Sequence, residues 1–536
     1  MPSCSKLFSG NLPELTYDVL KFLRNDYSTL YSCILVNRLW CRLAMPLLWE
    51  NPFSISTGNY NFIGIYLHNL NGNLKSKLNG YGIGKLLPST TLFNYPSFIR
   101  YLNTQEFIFS VDKWVEVSVK TLKPRKRYFI KTISLNLDAD FIRLVHTSLL
   151  KIFIENEINL HTFDVEFTDS KHISYFGDIL GLILQNTKFI NNIRYLKLHT
   201  GRTRGFSSPK NKDTPIKHRV LQIINLHQNL KKILLSYDNF SLYQSLLLQS
   251  ESSNCLNTLN TIILFCFNFN GIINLDKAFE QLNVLESVHI IYCSPLNTDI
   301  IQQIINLNKP FKLKSLFVND RSQIDESLLL LLQKYGNYLE NFGCGHLKYI
   351  KGELGLESGL SLKQQILESV LKYCKNIKFL DICGIKDEIV YLVLNLVENI
   401  KSNLNYLTIE ASETSHLDNS SSILLRNLGR ILPPKLEYLN LILYIRISDF
   451  EVFKNNSQNT VIKKLSIINN VQDYGVDISP YIKEYIVDKR TKYYLAFRNI
   501  KIEDLKGGEI KKFESYIAKR DNDLSIDIYQ FIKNLD

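Results

Sequence analysis

The chain has 536 residues, 45% hydrophobic and 21% charged, and 63 Lys and Arg against 51 Asp and Glu give a formal net charge of +12; that length suits one large elongated body with a small module beside it. No apolar run approaches the ~20 residues that cross a bilayer, the nearest being the interrupted stretch from Ile389 to Val397, and MPSCSKLFSG has no long apolar core, so neither a membrane partner nor a secretory signal is expected. The positive surplus is spread thinly, and Asn, Lys, Ile, Tyr and Phe, residues of A/T-rich codons, are all common, so nucleic acid is not the expected partner.

From Asn11 to Trp49 the spacing predicts three short helices. Leu12, Leu15, Val19 and Leu23 recur at helical intervals, Leu30, Ile34 and Leu35 continue the pattern, and Trp40, Leu43 and Leu47 close it. Pro13 falls where a first helical turn tolerates it. A segment this small gains roughly 3 to 5 kcal/mol from its own core, so it is expected to lean on the rest of the chain or on a partner. Leu12-Pro13-Glu14-Leu15, then Leu20, then Cys33, Leu35, Val36, Asn37, Arg38, Trp40, Leu43, Leu48 and Trp49 resemble the F-box. Glu14 follows Pro13 directly where the F-box usually has one residue between, whereas Val36 to Ala44 follows its later half, V-x-[KR]-x-W-x-x-L-A, closely. The resemblance implies that residues 1–50 dock on the Skp-family adaptor of a cullin-RING ubiquitin ligase, through Leu12, Pro13, Leu15, Leu20, Leu35, Val36, Arg38, Trp40 and Leu43. A helical cap over the open end of a repeat array is the alternative; it accounts for the apolar residues but not for Pro13 or Arg38.

Residues 51–125, rich in Asn, Gly and Tyr, read as a linker with one or two degenerate repeats in FIGIYL and FIRYL. Lys123-Pro124-Arg125-Lys126-Arg127 reads as a solvated loop before the first regular repeat, with a nuclear import signal as the alternative.

Across residues 126–487 an L-x-x-L-x-L pattern begins at Ile130, Leu160, Ile193, Leu230, Leu259, Leu285, Leu313, Leu339, Ile377, Leu404, Leu436 and Ile462, roughly 30 residues apart. Each instance offers a short strand, as in IKFLDI or LEYLNL, whose apolar face a single unit cannot bury. Between them DFIRLVHTSLLKIFI, DIIQQIINL, SLKQQILESVLKYC and DEIVYLVLNLV have helical spacing. Caps are expected at Asn297 to Asp299, at Ser361, and at Ser448 to Asp449. The predicted fold is α/β: an all-helical module followed by a curved solenoid with a parallel concave sheet and convex helices. A plain α/β domain does not need twelve copies of one strand motif. The pattern resembles the leucine-rich repeat family over about three fifths of the chain. The Asn or Cys that the family places eight residues on is present only as Cys293 and Asn470, with Asp138, Asp238 or Gly201 elsewhere.

Residues two, four and six after each motif start are expected on the concave face. That places Leu234, Ile263, Phe265, Ile291 and Phe317 there as an exposed apolar surface, with Phe379, Tyr406 and Tyr438 as a ladder, together the candidate substrate-binding residues. Cover by neighbouring loops or by the carboxyl-terminal segment, or a register shifted by one, are the alternatives. A second basic stretch, with Arg202, Arg204, Lys210, Lys212 and Lys217, reads as a solvated loop or as a grip on an acidic or phosphorylated target. KYYLAF is a candidate thirteenth strand in residues 488–536, which otherwise read as a closing cap.

Nine scattered Cys without a C-x-x-C pair argue against a disulfide or zinc framework and for cytosol or nucleus. His146, His161, His172 and His199 lack ligand spacing, Gly507-Gly508 and Gly343-Cys344-Gly345 lack the rest of a phosphate loop, and no G-x-S-x-G occurs, so no metal, cofactor or catalysis is expected. The F-box followed by leucine-rich repeats is a recurring family arrangement. It implies a non-catalytic subunit of an SCF-type ubiquitin ligase, in which the repeats hold a target protein and raise its effective concentration near the charged enzyme. A repeat scaffold with no ligase role is the alternative.

Overall fold

The computed structural model describes residues 12–24, 26–54, 59–81, 83, 87–88, 90–121, 134–167, 173–200, 214–227, 229–236, 257–309, 311–346, 356–411, 419–469 and 481. The chain divides into two compact units, residues 1–268 with 277–286 and residues 269–276 with 287–536.

The first unit begins with helices α1 (Pro13–Lys21), α2 (Tyr27–Ile34) and α3 (Arg38–Leu48). Pro13 opens α1 without sacrificing a hydrogen bond, since a first-turn N–H has no intrahelical partner. Asp26 caps α2 by accepting from the Thr29 amide at 3.0 Å, and Asn37 caps α3 by accepting from the Trp40 amide at 2.9 Å. Leu20, Leu30, Cys33, Ala44 and Leu47 form the module's core, edged by Tyr17, Leu23, Ile34, Trp40, Leu43 and Leu48. Helices α4 (Phe62–Leu67) and α5 (Gly72–Gly80) lead to β1 (Tyr101–Asn103), α6 (Thr104–Thr121), α7 (Ser134–Glu155), β2 (Thr162–Phe167), α8 (Ile173–Gln185), β3 (Tyr195–Thr200), α9 (Thr214–Leu226), β4 (Lys232–Ser236) and β5 (Thr261–Phe265). The five strands pair in parallel and in chain order, with Thr162, Tyr195, Lys232 and Thr261 in one register.

Helix α10 (Leu275–Gln281) has residues in both units. In the second unit β6 (Ser287–Ile291), α11 (Thr298–Ile305), β7 (Lys312–Val318), α12 (Ser327–Tyr335), β8 (Asn341–Cys344), α13 (Leu356–Tyr373), β9 (Phe379–Ile385), α14 (Val390–Ile400), β10 (Tyr406–Ala411), α15 (Ser420–Ile431), β11 (Lys435–Leu443), α16 (Ile447–Asn456) and β12 (Val461–Asn469) alternate. Its seven strands are likewise parallel and sequential. Helices α11 to α16 each pack on the next. Leu316, Phe342, Leu380, Ile382, Leu407, Ile409, Leu439 and Leu441 are all buried, each sealing about 1.5 to 3 kcal/mol of apolar side chain from water. The architecture is that of a leucine-rich-repeat-like β/α solenoid, as the motif spacing predicts.

Eleven motif instances, from Leu160 to Ile462, coincide with β2 to β12. The strand expected at Ile130 falls on residues outside those described, and Ser134 onward is helical; among the described residues the first strand is Tyr101–Asn103, which begins in FIRYL and ends one residue past it. Two expected caps are corrected. Ser361 lies inside α13, and Ser448 and Asp449 lie inside α16, whose N-cap is Arg446. Asn297 does cap α11, accepting from the Ile300 amide at 3.3 Å. Lys123 to Arg127, the part of the second basic stretch from Arg202 to Lys212, KYYLAF and residues 488–536 lie outside the described residues, whereas Lys217 falls within α9.

Candidate functional site

Two surfaces carry the expected site residues. On the amino-terminal module, Thr16 and Leu20 of α1 turn into the core, which leaves Leu12, Leu15, Val19 and Phe22 exposed at i, i+3, i+7 and i+10. Phe22 is 90% exposed, and at the α2–α3 turn Leu35 is 71% and Val36 60% exposed. Tyr31, one turn before Leu35, is exposed as well. The apolar positions Leu12, Leu15 and Val19, whose spacing marked the helix in the sequence, thus lie on its outward face. Among the residues the F-box resemblance marks for an adaptor, Leu12, Leu15, Leu35, Val36 and Arg38 are exposed and Pro13 is half-buried, whereas Leu20 is core and Trp40 and Leu43 pack against it. Leu20 therefore belongs to the module's own packing, while Trp40 and Leu43 contribute to that packing with part of their surface still exposed.

The second surface is the sheet face opposite the helices. Strand alternation places every expected residue there, but the expected exposure of the apolar set is not found. Leu234, Ile263 and Phe265 in the first unit, and Ile291, Phe317 and Phe379 in the second, are buried; Tyr406 and Tyr438 are half-buried. In the second unit lateral packing accounts for part of this. The Phe317 ring lies over Gly343, its register partner on β8, and sits 5.9 Å from Tyr292 and 5.5 Å from Phe379. Phe379 stacks on Tyr406 at 5.6 Å and 24°, and Tyr406 pairs in register with Tyr438. The Phe379–Tyr406 step of the ladder exists as side-by-side packing, and Tyr438 continues it in register.

Polar groups share this face. Asp381 of β9 accepts from the Tyr292 hydroxyl at 3.4 Å and from Cys383 Sγ at 3.4 Å. Burial raises its carboxyl to about 6, an effect the Cys383 hydrogen bond opposes and neighbouring Glu410 reinforces. Burial also works to raise Glu410 of β10, but His346, whose Nε2 lies 3.4 Å away, together with Cys383 and Lys363, holds it below the ordinary range. Lys363 reaches from α13 with its amine buried, donating to the carbonyls of Gly345 at 3.3 Å and Gly384 at 3.4 Å, and to that of Cys383. In the first unit His199 lies 3.6 Å from the Asp164 carboxylate and 3.3 Å from the Ser236 hydroxyl. Sequence reasoning passed over these groups. Their positions, four and six after a motif start, already put Asp381 and Glu410 on this face; Lys363 had no such signal, being one of many helix lysines.

Cys33, Cys41, Cys266, Cys293, Cys344, Cys374 and Cys383 are free thiols. Among the described residues no group of three His, Cys, Asp or Glu is placed to hold a metal ion, and no helix is long and apolar enough to cross a membrane. Compared with known proteins, the chain matches no family model and no curated protein sequence.

Proposed function

We propose that the chain is the substrate-recognition subunit of an SCF-type cullin-RING ubiquitin ligase: the amino-terminal module docks a Skp-family adaptor and the repeats hold a target protein, with no chemistry of its own. One observation carries the reading. A three-helix module that closes its own core still presents Leu12, Leu15, Val19, Phe22, Leu35 and Val36 to solvent, and an exposed apolar set of this kind marks a protein-binding surface. A cap serving only the repeats would turn those side chains inward. The order of F-box-like residues from Leu12 to Trp49 supports a Skp-family adaptor as the partner, and the β/α solenoid offers a body able to carry a target.

The test is co-purification of the full chain with a Skp-family adaptor. Leu35→Glu with Val36→Glu is expected to abolish the complex, since each aliphatic side chain buried at an interface is worth about 1.5 to 3 kcal/mol, while thermal stability stays put because both side chains are exposed. Leu20→Ala, a core truncation, is expected to destabilise the module instead, by about 2 to 5 kcal/mol. A well-folded parent that binds no adaptor would leave a repeat scaffold as the reading.

A further inference from the structure

The residue that enters each strand occupies the same place in every repeat, so the entry residues stack in a row about 4.8 Å apart. In the first unit the row reads Arg100, His161, Arg194, Lys231, Asn260 and Glu286: the amides of His161, Arg194, Lys231, Asn260 and Glu286 each donate to the carbonyl of the residue before it in the row, at 2.8 to 2.9 Å. Four consecutive members are basic. His161, Arg194 and Lys231 are exposed and Arg100 is half-buried. Arg100 donates to the Asn159 carbonyl at 2.9 Å and lies within electrostatic reach of Glu50; no carboxylate pairs with Arg194 or Lys231 among the described residues.

The second unit provides an internal control, because the same row there neutralises itself. It reads Lys314, Glu340, Lys378, Asn405, Glu437 and Lys463. Glu340 takes Lys314 at 3.5 Å and Lys378 at 2.9 Å, and Glu437 takes Lys463 at 2.7 Å. One repeat geometry thus produces compensated charge in one unit and stacked like charge in the other. Like charges directly opposite on neighbouring strands oppose folding, so the first row is better suited to an external anion than to the fold.

We infer that the strand-entry row of the first unit, Arg100, His161, Arg194 and Lys231, is a docking site for an acidic segment of the target protein, carrying Asp, Glu or phosphorylated Ser or Thr at alternate positions. The dimensions agree. Four stacked positions span about 14 Å, and an extended peptide brings same-side residues back every ~6.8 Å, so three alternate acids cover that length. Arg194 and Arg100 are suited to bidentate capture of carboxylate or phosphate. The row is single file and ends at Asn260 and Glu286, which suits a short peptide better than a nucleic acid, whose binding spreads over many phosphates. This inference rests on the reading of the repeats as the target-holding part, and its test does not involve the adaptor surface.

The experiment is fluorescence anisotropy of the full chain with labelled peptides bearing glutamate, phosphoserine or glutamine at three alternate positions, and with a single-stranded oligonucleotide, at low and at physiological salt. The acidic peptides are expected to bind, weakening with salt, and the glutamine peptide not. Arg194→Glu with Lys231→Glu is expected to lower the affinity at least about tenfold, while Lys463→Glu, in the self-neutralised row, leaves it unchanged, with circular dichroism confirming that both fold. Equal binding of glutamate and glutamine peptides, preference for the oligonucleotide, or indifference to the double reversal would each overturn the assignment. Adaptor co-purification, measured on the same variants, is expected to be unaffected; its loss in the parent would sink the ligase reading and leave the peptide result standing.

Discussion

Gly343→Ala tests whether the inner face of the second unit is packed or open. A Cβ built at this position would lie 2.2 Å from Phe317 Cδ1, 2.8 Å from Cε1 and 3.1 Å from Cγ. The backbone at Gly343 is within reach of any L residue, so an added methyl would by itself stabilise by about 0.4 to 1 kcal/mol through the unfolded chain. The clash outweighs that. Phe317 is buried, with Tyr292 on one side and Phe379 on the other, so its ring cannot swing clear without displacing both. Overpacking of this kind costs about 1 to 3 kcal/mol, and the expected net loss is therefore about 1 to 2 kcal/mol. Urea unfolding monitored by circular dichroism reads the difference, and Phe317→Leu in the same background is expected to recover most of it, as a double-mutant cycle between contacting residues should. A variant as stable as the parent would mean that Phe317 does not rest on Gly343 and that this face is open, as the alternation alone led one to expect.

Two further predictions concern charge. Burial raises the Asp381 carboxyl from 3.8 to about 6, so the stability linked to its proton is complete below about pH 4 and gone once pH rises through about 6; Asp381→Asn is expected to match the parent at pH 4 and to gain on it by up to about 3 kcal/mol at pH 7. A parent-minus-variant difference that stays flat with pH would refute this. In the pair between Arg426 Nε and Asp449 Oδ1, 2.6 Å apart, the carboxylate is buried and the guanidinium half-exposed. Arg426→Ala leaves a charge inside without its counterpart, and a loss of about 2 kcal/mol is expected in denaturant unfolding; a loss under about 0.5 kcal/mol would show that water reaches Asp449.

Much of this architecture is legible in the sequence because a parallel solenoid writes its period directly. Leu230, Ile233 and Leu235, or Ile377, Leu380 and Ile382, alternate in the way that fixes both the strand and the side it turns to the helices. Helix starts are harder. Ser361 has the chemistry of a cap, yet α13 already runs through it, since local side-chain preference yields to a helix that packing extends. The candidate surface was legible as a face but not as an environment. Alternation assigns Phe317 and Phe379 to the inner side, whereas the burial of both depends on Tyr292 and Gly343, residues 25 and 26 positions from Phe317, brought beside it by register. The F-box-like motif has the same limit: it marks Leu20 and Leu35 alike, and only the packing of α1 to α3 separates the one that builds the core from the one left for a partner.

The ring contacts that run from Phe317 through Phe379 to Tyr406 span four consecutive repeats, β7 to β10. An array of repeats behaves as a one-dimensional chain in which each unit's own stability competes with its coupling to the next. Side chains that bridge neighbours on the inner face add to the coupling alone, over and above the helix contacts outside. Strands β7 to β10 should accordingly lose structure as one block, with amide exchange rates that converge on a common value, and a chain cut within that block should forfeit more than the repeats removed.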